Sequence, residues 1–345
     1  MATLKRVTLV ALLVLFICEG PVLPASRAPL DDLVAAAKKE GALELLAPSS
    51  LTPPGARALG EAFNQKYGLN VRVNYHPSSN MVGDVTKVVS RAVAGVEPEW
   101  DIMVVTDSHH GSLWLRKLHL RYDYKMLGID PKIIHYDSGA ISFANQIVLP
   151  AYNTKLVPPQ DVPKKWEDLL DPKWKGGKAG ISTATHHFAR LAAGPWGENK
   201  TTAFVKALAA QQPLLGTLAE LSARLQIGEI LVAITFIDLF VHRAKAKGAP
   251  LALADGIEPV VSPAWHAGVL RGAQHPNAGH LFAFFLTSPE AQRVWEKFSG
   301  ETSAFIPGTR TYESLKGKQV VYMDQDQAKI IDRLTREYGK IFGFK

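Results

Sequence analysis

Residues 43–53 read LELLAPSSLTP. The run Leu43 to Ala47, apolar but for Glu44, has the length of a buried strand, and the polar loop Pro48-Ser49-Ser50 ends it. The helix that follows carries Ala56, Leu59, Phe63 and Tyr67 at the three- and four-residue spacing of one buried stripe. Upstream, a helix over Leu33 to Lys39 is closed by Gly41. Downstream the unit recurs twice. Val71 to Tyr75 runs through Pro77-Ser78-Ser79-Asn80 into a helix with Val82, Val85, Val89 and Ala92 on one face, and Asp101 to Val105 runs through Thr106-Asp107-Ser108-His109 into a third helix. Three successive β-loop-α units imply a parallel sheet covered by helices. Ligands of such sheets gather beyond the carboxyl ends of the strands. The loops there are rich in Ser, Thr and Asn, which with free N–H groups at a helix start suit an anionic or polar ligand. The same residue types are also preferred helix caps, so any one loop reads either way.

A second α/β region lies further along. The strand-like Gln146 to Tyr152 is followed by Pro158, Pro159, Pro163 and Pro172 with Trp166 and Trp174 among them, a change of character expected at a domain crossing. Ala179 to Ser182 reads as a strand whose loop Thr183 to His187 opens a helix. Ile230 to Phe236 reads as a buried strand, with a helix through Arg243 to Lys247 after it. Pro259 to Ala273 has the look of a return crossing. Beyond it stand a helix around Leu281, Phe282 and Phe285, one opened by Ser288-Pro289-Glu290 with cap and N1 proline, and a last helix over Gln325 to Phe342.

The amino terminus carries Lys5 and Arg6, the twelve-residue run Val7 to Cys18, Gly20-Pro21 and a small-residue stretch near Ala25-Ser26. This is the pattern of a cleaved secretory signal, and the run is shorter than the ~20 apolar residues of a membrane span. Cys18 is the only cysteine. Phe16 and Ile17 before it are not the small residues of a lipid-attachment site, so no lipid anchor is expected. After cleavage the chain would hold no cysteine, which excludes disulfides, thiolate metal sites and cysteine nucleophiles. The formal net charge of +7 is scattered, and no stretch interleaves basic residues with aromatics, so no nucleic-acid partner is expected. The sequence contains no G-x-S-x-G and no H-E-x-x-H, and Gly194 to Thr201 lacks the Gly-Lys pair of a phosphate loop; no enzyme activity and no cofactor are expected. The pairs His109-His110 and His186-His187 are not spaced as two ligands on one helix face, which argues against a metal site.

YNTKLV at 152–157, WEDLLDPKWKGG at 166–177 and GVLRGAQHPNAGHLFAFFLTSPEAQ at 268–292, with the export signal ahead of them, are similar in order and over most of the chain to the extracellular solute-binding proteins related to ferric-iron-binding periplasmic receptors. The resemblance implies the two-lobed periplasmic-binding-protein fold (type II): two α/β lobes, two hinge-crossing strands and a ligand cleft between the lobes that closes by hinge motion. It implies a signal peptide at 1–27, a first lobe at 28–150, a second at 151–260, a return to the first at 261–315, and a C-terminal helix at 316–345 on the second. It further implies a monomeric periplasmic component of an ABC importer that hands a small solute to a membrane permease. A ferric-iron or other metal-binding receptor and a ligand-sensing receptor feeding a signalling protein are the alternative roles it allows.

Iron-binding members use two adjacent tyrosines in the loop after the strand that here spans Leu231 to Phe236. This chain has Ile237-Asp238-Leu239-Phe240 there and no Tyr-Tyr pair anywhere. One carboxylate and a phenylalanine do not replace two phenolates as hard oxygen ligands, so the resemblance carries the fold and not the iron. The positions it assigns to ligand contact are Ser49, Ser50, Ser79, Asn80, Thr106, Asp107, Ser108, Thr183, Thr185, His186, Thr235, Asp238 and Trp265; Tyr152 and Trp265, near the two crossings, read either as stacking on the ligand or as hinge packing. Helix starts and net positive charge point to a small organic oxyanion, while Asp107 and Asp238 favour a ligand that also bears an amine. Binding is expected to shift the population from an open to a closed form, because the ligand touches both lobes at once.

Overall fold

The computed structural model of the protein describes residues 28–344; the expected signal segment, with Cys18, lies outside them. The strands in chain order are β1 (Ala42–Pro48), β2 (Arg72–Ser78), β3 (Ile102–Thr106), β4 (Ile134–His135), β5 (Ala140–Asn145), β6 (Val148–Asn153), β7 (Ala179–Ser182), β8 (Leu214–Gly216), β9 (Val232–Ile237), β10 (Leu251–Leu253), β11 (Val260–Val261), β12 (Ala264–Val269) and β13 (Val320–Val321). They form two sheets, one ordered β2-β1-β3-β12-β5-β4 and the other β13-β11-β6-β9-β7-β8, with β10 on the edge of β6. The three expected β-loop-α units supply β1, β2 and β3, which pair in parallel. β12 enters antiparallel between β3 and β5, with Trp265 opposite Thr106.

The first sheet is packed on both faces, as an open α/β sheet requires. One face holds Leu43, Leu45, Phe63, Phe282, Phe285 and Trp295, and Phe63 meets Phe282 and Phe285 edge-on at 5.3 and 5.5 Å. The other face holds Leu46, Val85, Val88, Trp100 and Met103 under the helix Met81–Val93. Val85 was expected on the buried stripe of that helix and is on it. Val82 was expected there too, yet it is 61% exposed, because the stripe that meets Leu46 and Met103 passes through Val85 and Val88.

The second lobe surrounds Trp166, Trp174, Ile181, Phe188, Val205 and Ile234. The proline- and tryptophan-rich stretch expected at a crossing belongs to this core: the Trp166 indole donates to the Pro259 carbonyl at 3.0 Å and the Trp174 indole to that of Asp168 at 3.0 Å. Buried indoles need such acceptors, and their carbonyls hold the segment in the lobe. The first crossing therefore falls at Gln146–Ile147, between β5 and β6, ahead of residue 150. The second falls at Ser262–Pro263, between β11 and β12. A third pass, at Glu301–Ala304, leads back, since Ala304 and Leu315 pack in the second-lobe core rather than in the first lobe expected up to 315.

These three passes are tied together. Ser262 Oγ donates to the Gln146 carbonyl at 2.9 Å, and Asn145 Oδ1 accepts from the Ala304 N–H at 2.9 Å. Glu301 lies fully buried among them, accepting from Gln146 Nε2 at 3.1 Å and Trp265 Nε1 at 2.6 Å. The C-terminal helix Ala328–Phe342 packs on the helices His186–Ala193 and Gly197–Ala210 of the second lobe and on Asp107–Trp114 of the first. Asp332 accepts from Ser112 at 3.2 Å on the first lobe, and the Thr335 carbonyl accepts from Thr185 at 2.8 Å on the second.

Candidate functional site

The carboxyl ends of β3 and β7 face each other across the lobes, and each opens a short helix: Asp107–Trp114 on the first lobe, His186–Ala193 on the second. Asp107 lies at the start of one and Arg190 one turn into the other. Their side chains form an ion pair that bridges the lobes. Among the described residues it is the one ion pair in which both side chains are buried, at 0% and 1% exposure. The Asp107 carboxylate also accepts from the Ser108 N–H at 2.8 Å and from the Ala264 N–H, beside the second crossing, at 3.2 Å. Arg190 Nη1 reaches His186 Nδ1 and donates to the His186 carbonyl.

Imidazoles surround this pair. His109 Nδ1 lies 2.7 Å from Thr106 Oγ1, and its ring meets that of His186 edge-on at 5.6 Å across the cleft. Behind Asp107, Tyr136 donates to the Asp107 carbonyl at 2.6 Å and packs among His110, His119, His135 and His266. His110 and His119 are 2.9 Å apart, nitrogen to nitrogen. Burial dominates their titration. It holds His109 down at about 3, aided by the Arg190 charge, and His110 at about 4; it also puts His186, His187 and His266 well below the usual histidine range. At neutral pH the surroundings of the ion pair are thus uncharged.

Several buried polar atoms here have no partner among the described residues: both ring nitrogens of His187, Arg190 Nε, His266 Nδ1 and, on the second-lobe strand β9, Thr235 Oγ1. Buried polar groups are almost always satisfied, so each of these atoms calls for a partner, water included, that the described residues do not supply. Among the described residues no three His, Asp or Glu side chains converge as a metal-ligand set.

The positions expected to touch ligand divide into groups. Thr106, Asp107, Ser108 and His186 come together at the bridge. Thr183 is exposed beside it, and Thr185 gives its hydroxyl to the C-terminal helix. Ser49 is exposed and Ser50 half-buried on the next loop, where the Ser50 carbonyl accepts from Arg243 of the second lobe at 2.9 Å. Ser79 and Asn80 are exposed, and Asn80 caps its helix by accepting from the Gly83 N–H at 3.0 Å. Asp238 is committed to the hinge, accepting from Ile147 N–H at 3.2 Å and Arg310 at 3.0 Å, with its acid strength reduced by burial. Trp265 is held by Glu301, and Tyr152 lies on β6 against the second-lobe core. Arg190, His109, His187 and His266 were not among the expected positions. The available signal was an arginine within the otherwise apolar FARLAA, at 188–193, one turn after His186.

The profile of the bacterial extracellular solute-binding protein family matches residues 58–319. The chain belongs to that family. An uncharacterised protein of Haemophilus influenzae is 28% identical over 193 residues, 52% of this chain; the match spans about half, 51%, of that relative's length. Solved structures share the fold at lower identity. Iron-bound HitA from Pseudomonas aeruginosa superposes with a TM-score of 0.68 at 18% identity, covering 86% of this chain and 99% of HitA. AfuA from Actinobacillus pleuropneumoniae, with fructose-6-phosphate bound, gives 0.66 at 20% identity, covering 88% and 99%. AgtB from A. tumefaciens R10, in complex with agropinic acid, gives 0.68 at 15% identity, covering 88% and 98%. The fold of this solute-binding protein is thus the two-lobed α/β arrangement that its sequence resemblance implied. No helix among the described residues is long and apolar enough to cross a membrane.

Proposed function

We propose that the protein is the periplasmic solute-binding component of an ABC importer, which captures a small organic oxyanion between its lobes and delivers it to a membrane permease. The observation that carries this reading is Arg190, a guanidinium with no exposed surface, set at the lobe interface opposite the helix start at Asp107. An arginine fork matches a carboxylate or phosphate, and burial strengthens the contact. The Asp107 carboxylate pairs with Arg190 across the lobes, and the solute oxyanion takes that place. His109, His186 and Thr106 line the approach without charge, His186 Nδ1 accepting from Arg190, and His187 and Thr235 offer hydrogen-bonding atoms that no other described residue uses. Fructose-6-phosphate and agropinic acid, held by AfuA and AgtB, are organic anions, which agrees with this solute class. The solute stabilises the closed form because it contacts both lobes.

The test is a thermal-shift panel of phosphorylated sugars, phosphonates, carboxylates and chelated ferric iron on the wild-type protein and on Arg190→Gln. A solute at 100 times its Kd adds ~2.7 kcal/mol, enough to raise the midpoint by several degrees. Anions should shift the wild type and leave the variant unmoved. A response to iron alone, or an anion response equal in the two proteins, overturns the reading.

A further inference from the structure

Resting on that reading, we infer that the solute is a small zwitterion, in which the oxyanion that meets Arg190 is accompanied a few bonds away by an ammonium group that meets Asp107. The argument is one of charge balance. Both members of the ion pair are buried, one contributed by each lobe. When an oxyanion takes Arg190, the Asp107 carboxylate keeps its two backbone N–H donors, Ser108 and Ala264, and loses the one cation that pairs with it among the described residues. Two hydrogen bonds from neutral amides leave the negative charge in place, beside a second anion and out of water. A buried charge stripped of its partner is strongly unfavourable.

Among the described residues none nearby supplies the missing positive charge. The rings packed around the pair and behind it, His109, His186, His110, His266 and His135, are neutral because burial disfavours their cations, an effect that outweighs the pull of Asp107 on His135. The wall behind Asp107 is Tyr136, whose hydroxyl is already spent on the Asp107 carbonyl. Arg310 and Arg243 are committed at the hinge, to Asp238 and to the Ser50 carbonyl. A solute bearing both charges leaves the site as neutral as it was: its oxyanion replaces Asp107 at Arg190, and its ammonium replaces Arg190 at Asp107. The unpartnered His187 and Thr235 atoms then serve the uncharged remainder of the solute.

Matched probes test this by calorimetric titration: propionate with β-alanine, propylphosphonate with 3-aminopropylphosphonate, and propylamine alone. On the wild type, an amino-bearing member should bind at least 100-fold more tightly than its partner without the amine, with propylamine silent. In Asp107→Asn that ratio should fall below tenfold, because the carboxylate that rewards the ammonium is gone. Binding of the plain anions within threefold of the zwitterions on the wild type overturns the inference and leaves the oxyanion reading standing. Absence of binding by every anion, amine-bearing or not, overturns both. The wild-type ratios decide the matter alone if Asp107→Asn does not fold.

Discussion

Replacing Glu301 by glutamine removes one titration from the hinge and keeps its shape. The carboxyl is fully buried, and burial, reinforced by nearby Asp238, pushes it up to about 8 against the opposing bonds from Gln146 and Trp265. A glutamate in the unfolded chain titrates near ~4.3. Between those values the native state holds a proton that the unfolded chain has released. The contribution of Glu301 is therefore fully present below the unfolded value and is lost as pH rises toward about 8. Holding that proton is worth roughly 1 kcal/mol for every pH unit that separates the two values, so the whole window spans on the order of 3–5 kcal/mol. Urea unfolding of wild type and Glu301→Gln at about pH 5, 7 and 9 measures it, and subtracting the two profiles cancels every titration they share. The wild type should lose stability relative to the variant from the lowest pH to the middle one, and again to the highest. A difference that stays constant across the series refutes the buried, protonated hinge acid.

Asn80→Ala should cost about 1 kcal/mol of stability through loss of the helix cap, and calorimetric affinity for the solute should be unchanged; weakened binding would return Asn80 to the site. Thr235→Val should leave thermal stability equal or higher, since the hydroxyl has no partner among the described residues, and should weaken solute binding several-fold. Loss of stability without loss of affinity would mean that the hydroxyl is satisfied inside the protein.

Much of the fold was legible because its signals are local. Leu43 to Ala47 and Ala179 to Ser182 are short, mostly apolar runs bounded by turn residues, and both are strands. Ser288 before Pro289 reads as a cap and is one, accepting from the Ala291 N–H. The site was legible only on one side. Thr106 to Ser108 stand out as a polar loop after a strand, whereas Arg190 is 83 residues from the carboxylate that gives it meaning. The histidine pairs were read for ligand spacing within one helix, yet His109 and His186 meet from opposite lobes. Prolines around Trp166 and Trp174 suggested a domain crossing; the carbonyls of Pro259 and Asp168 that anchor those indoles could not be seen from composition. In each case the decisive partner is supplied by tertiary structure.

The position of β12 between β3 and β5 bears on how the chain reaches its folded state. Until residues 264–269 are in place, β3 has an open edge of unpaired N–H and C=O groups, and the first lobe cannot finish its sheet. Pairing Thr106 with Trp265 means closing a loop that holds most of the second lobe. Sheets built from such distant segments assemble slowly. The strands of the second lobe from β6 to β11, by contrast, follow one another along the chain. Its core, however, is completed only by β13 and the helix Ala328–Phe342, which lie beyond β12, so neither lobe can lock until the carboxyl-terminal residues have docked.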